Sequence, residues 1–230
     1  NAYSDFISSE GVPVFYARVD HVSVPLAQEG TGQVVVDFTP EPLTQDVSFV
    51  FHIEKTADVV VDSLTAEISG IPSTMELTTG LILAQKTYKL LFRPTYAALP
   101  SAADSASAEA LRCEASVNIP GIVRSHTEDM VTGPGILQIA IYTHYDYEEE
   151  GTQRKAAKVF HAGINLYHTL KERKSLQWDE EENGYRQASR SITVEIGSPL
   201  NIDKDGILNG GSTSTGLDQW IPGETFEIEV

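Results

Sequence analysis

The chain has 230 residues, 41% of them hydrophobic, which is room for one large all-β domain or two small ones and excludes a chain disordered throughout. Lys and Arg number 16 against 33 Asp and Glu, a formal net charge of −17, so a phosphate backbone or an anionic lipid surface meets repulsion over most of the molecule and no nucleic-acid partner is expected. The one cysteine, Cys113, excludes an internal disulfide, a Cys-based zinc site and a CxxC redox pair.

Residues 1–11 are polar, and residues 1–30 read as a connecting segment able to contribute a strand, ahead of a β-sandwich domain with long inserted loops over 31–230. Strict alternation then recurs along the chain, the mark of strands with one wet face. QVVVDFT sets Val34, Val36 and Phe38 on one side, and DVSFVFHIE does the same with Val47, Phe49, Phe51 and Ile53. VVVDSLTAEISGIPSTMELTTG, residues 59–80, alternates, breaks at Gly70-Ile71-Pro72 and restarts through Met75 and Leu77. TYKLLFR follows with Tyr88, Leu90 and Phe92. A slip of one residue would expose Phe49 and Phe51 at about 1.5–3 kcal/mol each, so register is well specified.

The Ala/Ser-rich stretch 97–110 lacks an apolar period and reads as a long surface loop. In LRCEASV, Cys113 is in phase with Leu111, Ala115 and Val117, as a buried small hydrophobe rather than a reactive thiol. ILQIAIYTHYDY points Leu137, Ile139 and Ile141 inward. KAAKVFHAGINLYHTLKERKSL holds the only helical stripe, Val159, Phe160, Ile164, Tyr167 and Leu170, interrupted by Gly163; a strand through Phe160 followed by a short helix or irregular loop is expected. SITVEI (Ile192, Val194) and TFEIEV (Phe226, Ile228, Val230) complete the series. Many short strands without amphipathic helices between them predict an all-β fold, an antiparallel β-sandwich with at most one or two short helices.

Candidate chemistry is sparse. The six histidines, 21, 52, 126, 144, 161 and 168, form no HExxH pair; no Gly-x-Ser-x-Gly elbow and no Walker lysine occur. Asp203 and Asp205 are the nearest approach to a metal site, since oxygen donors two residues apart can converge on a hard cation. The position after Gly206 is Ile207 and no glutamate closes a loop, so a tight Asp/Gly turn is the preferred reading, and no metal or cofactor is expected. YTHYDYEEEG, residues 142–151, is richer: Tyr142, His144 and Asp146 share one side of a strand, while Tyr145 and Tyr147 continue the side of Ile139 and Ile141. Tyrosines beside carboxylates can stack a sugar ring and bind its hydroxyls, and tyrosine also seals the rim of a β core. These five residues are therefore the glycan-platform candidates.

VVVDFTPEPLTQDVSFVFHIE, then VVVDSLTAEISGIPSTMELTTG, then TYKLLFRP resembles the later sandwich domain of fimbrillin-like surface proteins, the group of type V pilins and minor fimbrial subunits. The residues that carry the resemblance are the strand exit Pro40-Glu41-Pro42-Leu43 and the strand and turn Ala66-Glu67-Ile68-Ser69-Gly70. SITVEI, the DKDGILNGG turn and the final Trp-to-EIEV segment extend it in pattern over residues 12 to 230. The resemblance implies an extracellular, cell-surface protein of a Gram-negative gut-type bacterium, transthyretin-like topology, no enzymatic activity, and a structural or adhesive role through other surface or fimbrial subunits. Such subunits join when an extended segment adds to an open sheet edge; VFYARVDHVSV and TFEIEV are the candidates for such an edge, with ordinary pairing inside the sheet the preferred reading of both. With no lipobox cysteine ahead of Val12, attachment to an outer membrane is expected only through an anchor outside this chain. The alternative is a carbohydrate-binding module on the same sandwich.

Overall fold

The computed structural model describes residues 6–7, 14–19, 21–23, 35–77, 80–99, 108–123, 135–166, 169–170, 176–179, 184–187, 191–208 and 220–228. The strands in chain order are β1 (Phe6–Ile7), β2 (Phe15–Tyr16), β3 (Glu41–Pro42), β4 (Gln45–Thr56) and β5 (Val59–Met75). Next come β6 (Ile82–Phe92), β7 (Thr95–Ala98), β8 (Ala108–Ile119), β9 (Ile136–Glu149) and β10 (Thr152–Asn165). The last are β11 (Leu176–Asp179), β12 (Gly184–Gln187), β13 (Ser191–Glu195), β14 (Leu200–Ile202) and β15 (Ile221–Ile228).

Among the described residues a large sheet runs β11-β12-β6-β5-β9-β10-β15, with β1 beside β6, and a smaller one runs β13-β4-β8-β7, with β14 also on β4. Each long strand buries alternate residues. In β4, Val47, Phe49, Phe51 and Ile53 are buried while Asp46 and Glu54 face water. Their partners in β8 are Val117, Ala115, Cys113 and Leu111, so the middle of that face of the small sheet is apolar, between the buried Gln45 at one end and the Lys55–Glu109 pair at the other. The large sheet answers with Leu64, Ala66 and Ile68 of β5, Ile139 and Ile141 of β9, and Phe160 of β10. The two apolar faces meet: Phe49 of β4 stacks on Phe92 of β6 with ring centres 5.9 Å apart. The fold is an all-β sandwich, closed by burial of the two facing stripes.

Not every neighbour in the layers is antiparallel. β13 and β14 both run parallel to β4, lying end to end along it, with Val194 beside Phe49 and Leu200 beside Ile53. Val194, Ile196, Leu200 and Ile202 are all buried, so this late segment completes the core from the edge of the small sheet. A parallel partner requires a long connection, here most of the chain between β4 and β13.

Several expectations change. Residues Val35–Thr39 of the QVVVDFT segment lie in no strand, and Phe38 is 60% exposed. Pro40 and Pro42, which lack an N–H to donate, follow at once and limit pairing to the two-residue ladder between β2 and β3. The 59–80 segment does not break at Gly70: β5 continues to Met75 through a register shift between Ile68 and Ile71. Gly70 has φ of 82°, a conformation that suits glycine, and the displaced backbone is held by Val123 N to Gly70 O at 2.8 Å and Gly135 N to Ser69 O at 2.9 Å. The 97–110 loop is shortened from both ends by β7 and β8, which are pinned beyond the ladder by Leu99 N to Ala110 O at 2.8 Å. The strand expected to stop at Phe160 reaches Asn165, and the helical residues Leu166, Thr169 and Leu170 follow it.

Cys113 lies fully buried and free in the core. Burial pushes its thiol up to about 12 from 9.0, so it stays protonated and unreactive.

Candidate functional site

The Tyr142–Tyr147 segment ends β9 and pairs with the start of β10 in a hairpin whose two-residue turn is Glu150-Gly151, at φ of 52° and 77°. Positive φ at both positions is what a tight hairpin turn needs for its twist to match the strands. Tyr145 is the last residue of β9 paired with β5, opposite Val59, so among the described residues the hairpin from Asp146 onward is a two-stranded ribbon projecting past the large sheet.

Period two distributes the five candidates over both faces of that ribbon. Tyr145 and Tyr147 continue the core side, rings 6.2 Å apart and tilted by 49°. Lys158 Nζ stands 5.5 Å from the Tyr145 ring centre and donates to Lys204 O at 2.8 Å, tying the hairpin to the turn after β14. Tyr142, His144 and Asp146 face the other way. There His144 Nδ1 is 2.7 Å from Asp62 Oδ1, and Asp146 lies 4.0 Å from Lys155 Nζ. The structure thus brings Tyr145 and Tyr147 together, and His144 to Asp62, but does not gather all five on one surface.

Asp62 was not marked by the sequence reading. It belongs to a register shift between Val61 and Ser63, where two consecutive polar residues interrupt the apolar alternation of β5. That doublet is the signal that could have located the bulge.

Asp203 and Asp205 form a turn. Asp203 Oδ1 accepts from the amides of Asp205 at 2.7 Å and Gly206 at 2.8 Å, and Asp203 N donates to Gly206 O at 3.0 Å. One carboxylate oxygen is thereby committed to backbone, as in an Asx turn. Among the described residues no three His, Cys, Asp or Glu side chains come together to hold a metal ion. Nor is any helix among them long and apolar enough to cross a membrane.

The two segments expected at sheet edges differ in setting. In VFYARVDHVSV, Phe15 and Tyr16 are the strand residues among those described, paired with β3, and Leu43 N donates to Val14 O at 2.7 Å. TFEIEV contributes to β15, which pairs with β10 and is the terminal strand on that side of the large sheet among the described residues. Phe226 does not point into the core: it is 51% exposed on the outer face, its ring edge-on to His161 at 5.6 Å. A register shift in β10 between Phe160 and Ala162 accompanies this orientation.

Compared with known protein families, curated proteins and solved structures, the chain matches none.

Proposed function

We propose that the chain is a non-enzymatic, cell-surface protein of the fimbrillin-like kind, a structural or adhesive subunit acting through protein–protein contacts. The observation that carries this is β15, whose outer edge has no neighbouring strand among the described residues. An edge of this length offers a row of backbone donors and acceptors to an extended segment of another subunit, with alternate side chains selecting the partner. Ile221 and Phe226, 42% and 51% exposed, give that strand apolar contacts to offer a neighbour. Its place in the cell is extracellular, held at the outer membrane through partners or an anchor outside these residues.

The test is genetic and structural together. Deletion of the gene is expected to thin or shorten surface fibres and reduce attachment, and amide exchange in recovered assemblies is expected to show β15 protected relative to the isolated chain. Intact fibres and attachment in the deletion strain, with β15 exchanging equally in both samples, would overturn the proposal.

A further inference from the structure

We propose that a groove on the outer face of the small sheet, floored by Ser48, Ser116 and Thr193 and lined also by Arg93, binds a neutral hexose residue of a glycan. The site lies away from β15 and from the Tyr142–Tyr147 hairpin, and the inference does not depend on the role in assembly.

Register builds the floor. Ser48 of β4 is opposite Ser116 of β8 and beside Thr193 of β13, so three hydroxyl side chains form one row across three strands. Ser48 Oγ donates to Ser116 Oγ at 3.2 Å. The rows on either side carry longer groups, Asp46 with Asn118 and Val50 with Glu114, so the short side chains leave a depression between them. This open depression measures about 500 Å³, within the size of small-molecule sites.

The wall comes from the other layer. Phe92 ends β6, and Arg93 follows it as the chain passes towards β7; both line the groove together with Glu114. Glu114 is ion-paired to Arg112, whereas Arg93 forms no ion pair or hydrogen bond among the described residues. The groove therefore combines a guanidinium with donors to spare, a carboxylate acceptor, and hydroxyls that both donate and accept.

That combination matches a hexose, whose hydroxyls likewise donate and accept and whose C–H face can rest on Val50. Neutrality follows from two charges. The formal net charge of −17 opposes an anionic sugar at long range, and Glu114 within the groove opposes its carboxylate at short range. Arg93 in the lining opposes a cationic ligand.

The experiment uses the purified chain with D-glucose, D-galactose and D-mannose as separate probes, and D-glucuronate as the charged comparison, read by saturation-transfer NMR and titration. At least one neutral hexose is expected to receive saturation. Arg93→Ala should weaken its binding about tenfold, the loss of a hydrogen bond to a charged group. Ser116→Leu, which fills the floor at an exposed position, should abolish binding, and Tyr142→Ala should leave it unchanged. Circular dichroism of each variant confirms the fold. The proposal is overturned if none of the three sugars receives saturation, if D-glucuronate binds more tightly than they do, or if binding survives both groove variants or is lost with Tyr142→Ala.

Discussion

Tyr96 joins the two layers of the sandwich at the bulge of β5: its hydroxyl, on the edge strand of the small sheet, donates to the carbonyl of Val61 at 3.0 Å, with the carbonyl of Asp62 at 3.1 Å sharing the same proton. A bulge turns carbonyls out of the ladder, and here a side chain from the opposite layer satisfies them. Tyr96→Phe removes only that donor and should cost about 1 kcal/mol, because water reaches a residue 38% exposed and replaces part of the bond. Tyr96→Ala also removes the ring and should cost more. Urea midpoints at constant slope measure both; two variants as stable as the parent would show that the tie contributes nothing.

Cys113 makes stability depend on alkaline pH. Its thiol is raised by burial to about 12 against 9.0 in the unfolded chain, so between those values the native state holds a proton that the unfolded state releases. Fewer protons on the unfolded chain means that stability falls as pH rises, by at most about 1.4 kcal/mol per unit from this group. The contribution is complete below pH 9 and lost on approach to 12. Lys and Tyr titrate in the same range, so the measurement is the difference between the parent and Cys113→Ala: the parent's curve should fall more steeply. Equal slopes would mean that the thiol ionises freely in the folded protein. The same burial predicts no reaction with a thiol reagent at pH 8 until denaturant is added.

Phe51 and Phe226 test which side of each strand is core. Phe51 is 1% exposed and meets Trp220 edge-on at 5.5 Å, a contact fixed by Trp220 Nε1 donating to Ser198 O at 3.1 Å. Phe51→Ala should cost about 3–5 kcal/mol, the loss of a buried ring and the cavity left behind, and should perturb Trp220 fluorescence. Phe226→Ala, on the outer face, should cost under about 1 kcal/mol. Comparable losses from the two would place Phe226 in a core.

How far the sequence exposes this architecture can be followed in β4 and β5. In β4 the alternation is unbroken, the burial follows it residue by residue, and period two alone identifies the core face. In β5 the same rule fails at three places, after Val61, at Gly70 and after Pro72, because register shifts move the phase without ending the strand. Gly70-Ile71-Pro72 resembles a turn locally, and the strand is kept going by partners distant in sequence, the ties from Val123 and Gly135 and the continued ladder with β6. The same limit hid the groove. Ser48, Ser116 and Thr193 each sit on the wet side of a recognisable strand, but their row exists only through pairings across 68 and 145 positions of chain, which no local pattern encodes. The opposed faces of Tyr142 and Tyr145, by contrast, follow from alternation alone.

Gly223 sets how closely β15 lies against β10. A Cβ placed on it would stand 2.9 Å from the Cβ of His161 and 3.3 Å from its carbonyl oxygen, at the place where the β10 register shifts between Phe160 and Ala162. Neither obstacle is the far end of a flexible side chain, so relief requires the backbone of β15 to move outward. Gly223→Ala should therefore destabilise by about 1–3 kcal/mol, as overpacking does, and speed amide exchange along β15 more than in β4. Gly206, whose Cβ would meet nothing within 4 Å, serves as the comparison, and Gly206→Ala should change stability by less than about 0.5 kcal/mol. If β15 is the strand that receives a neighbour, Gly223→Ala should also weaken assembly while Gly206→Ala does not. Equal exchange rates in β15 for the two variants would show that the close approach to His161 places no constraint on the edge strand.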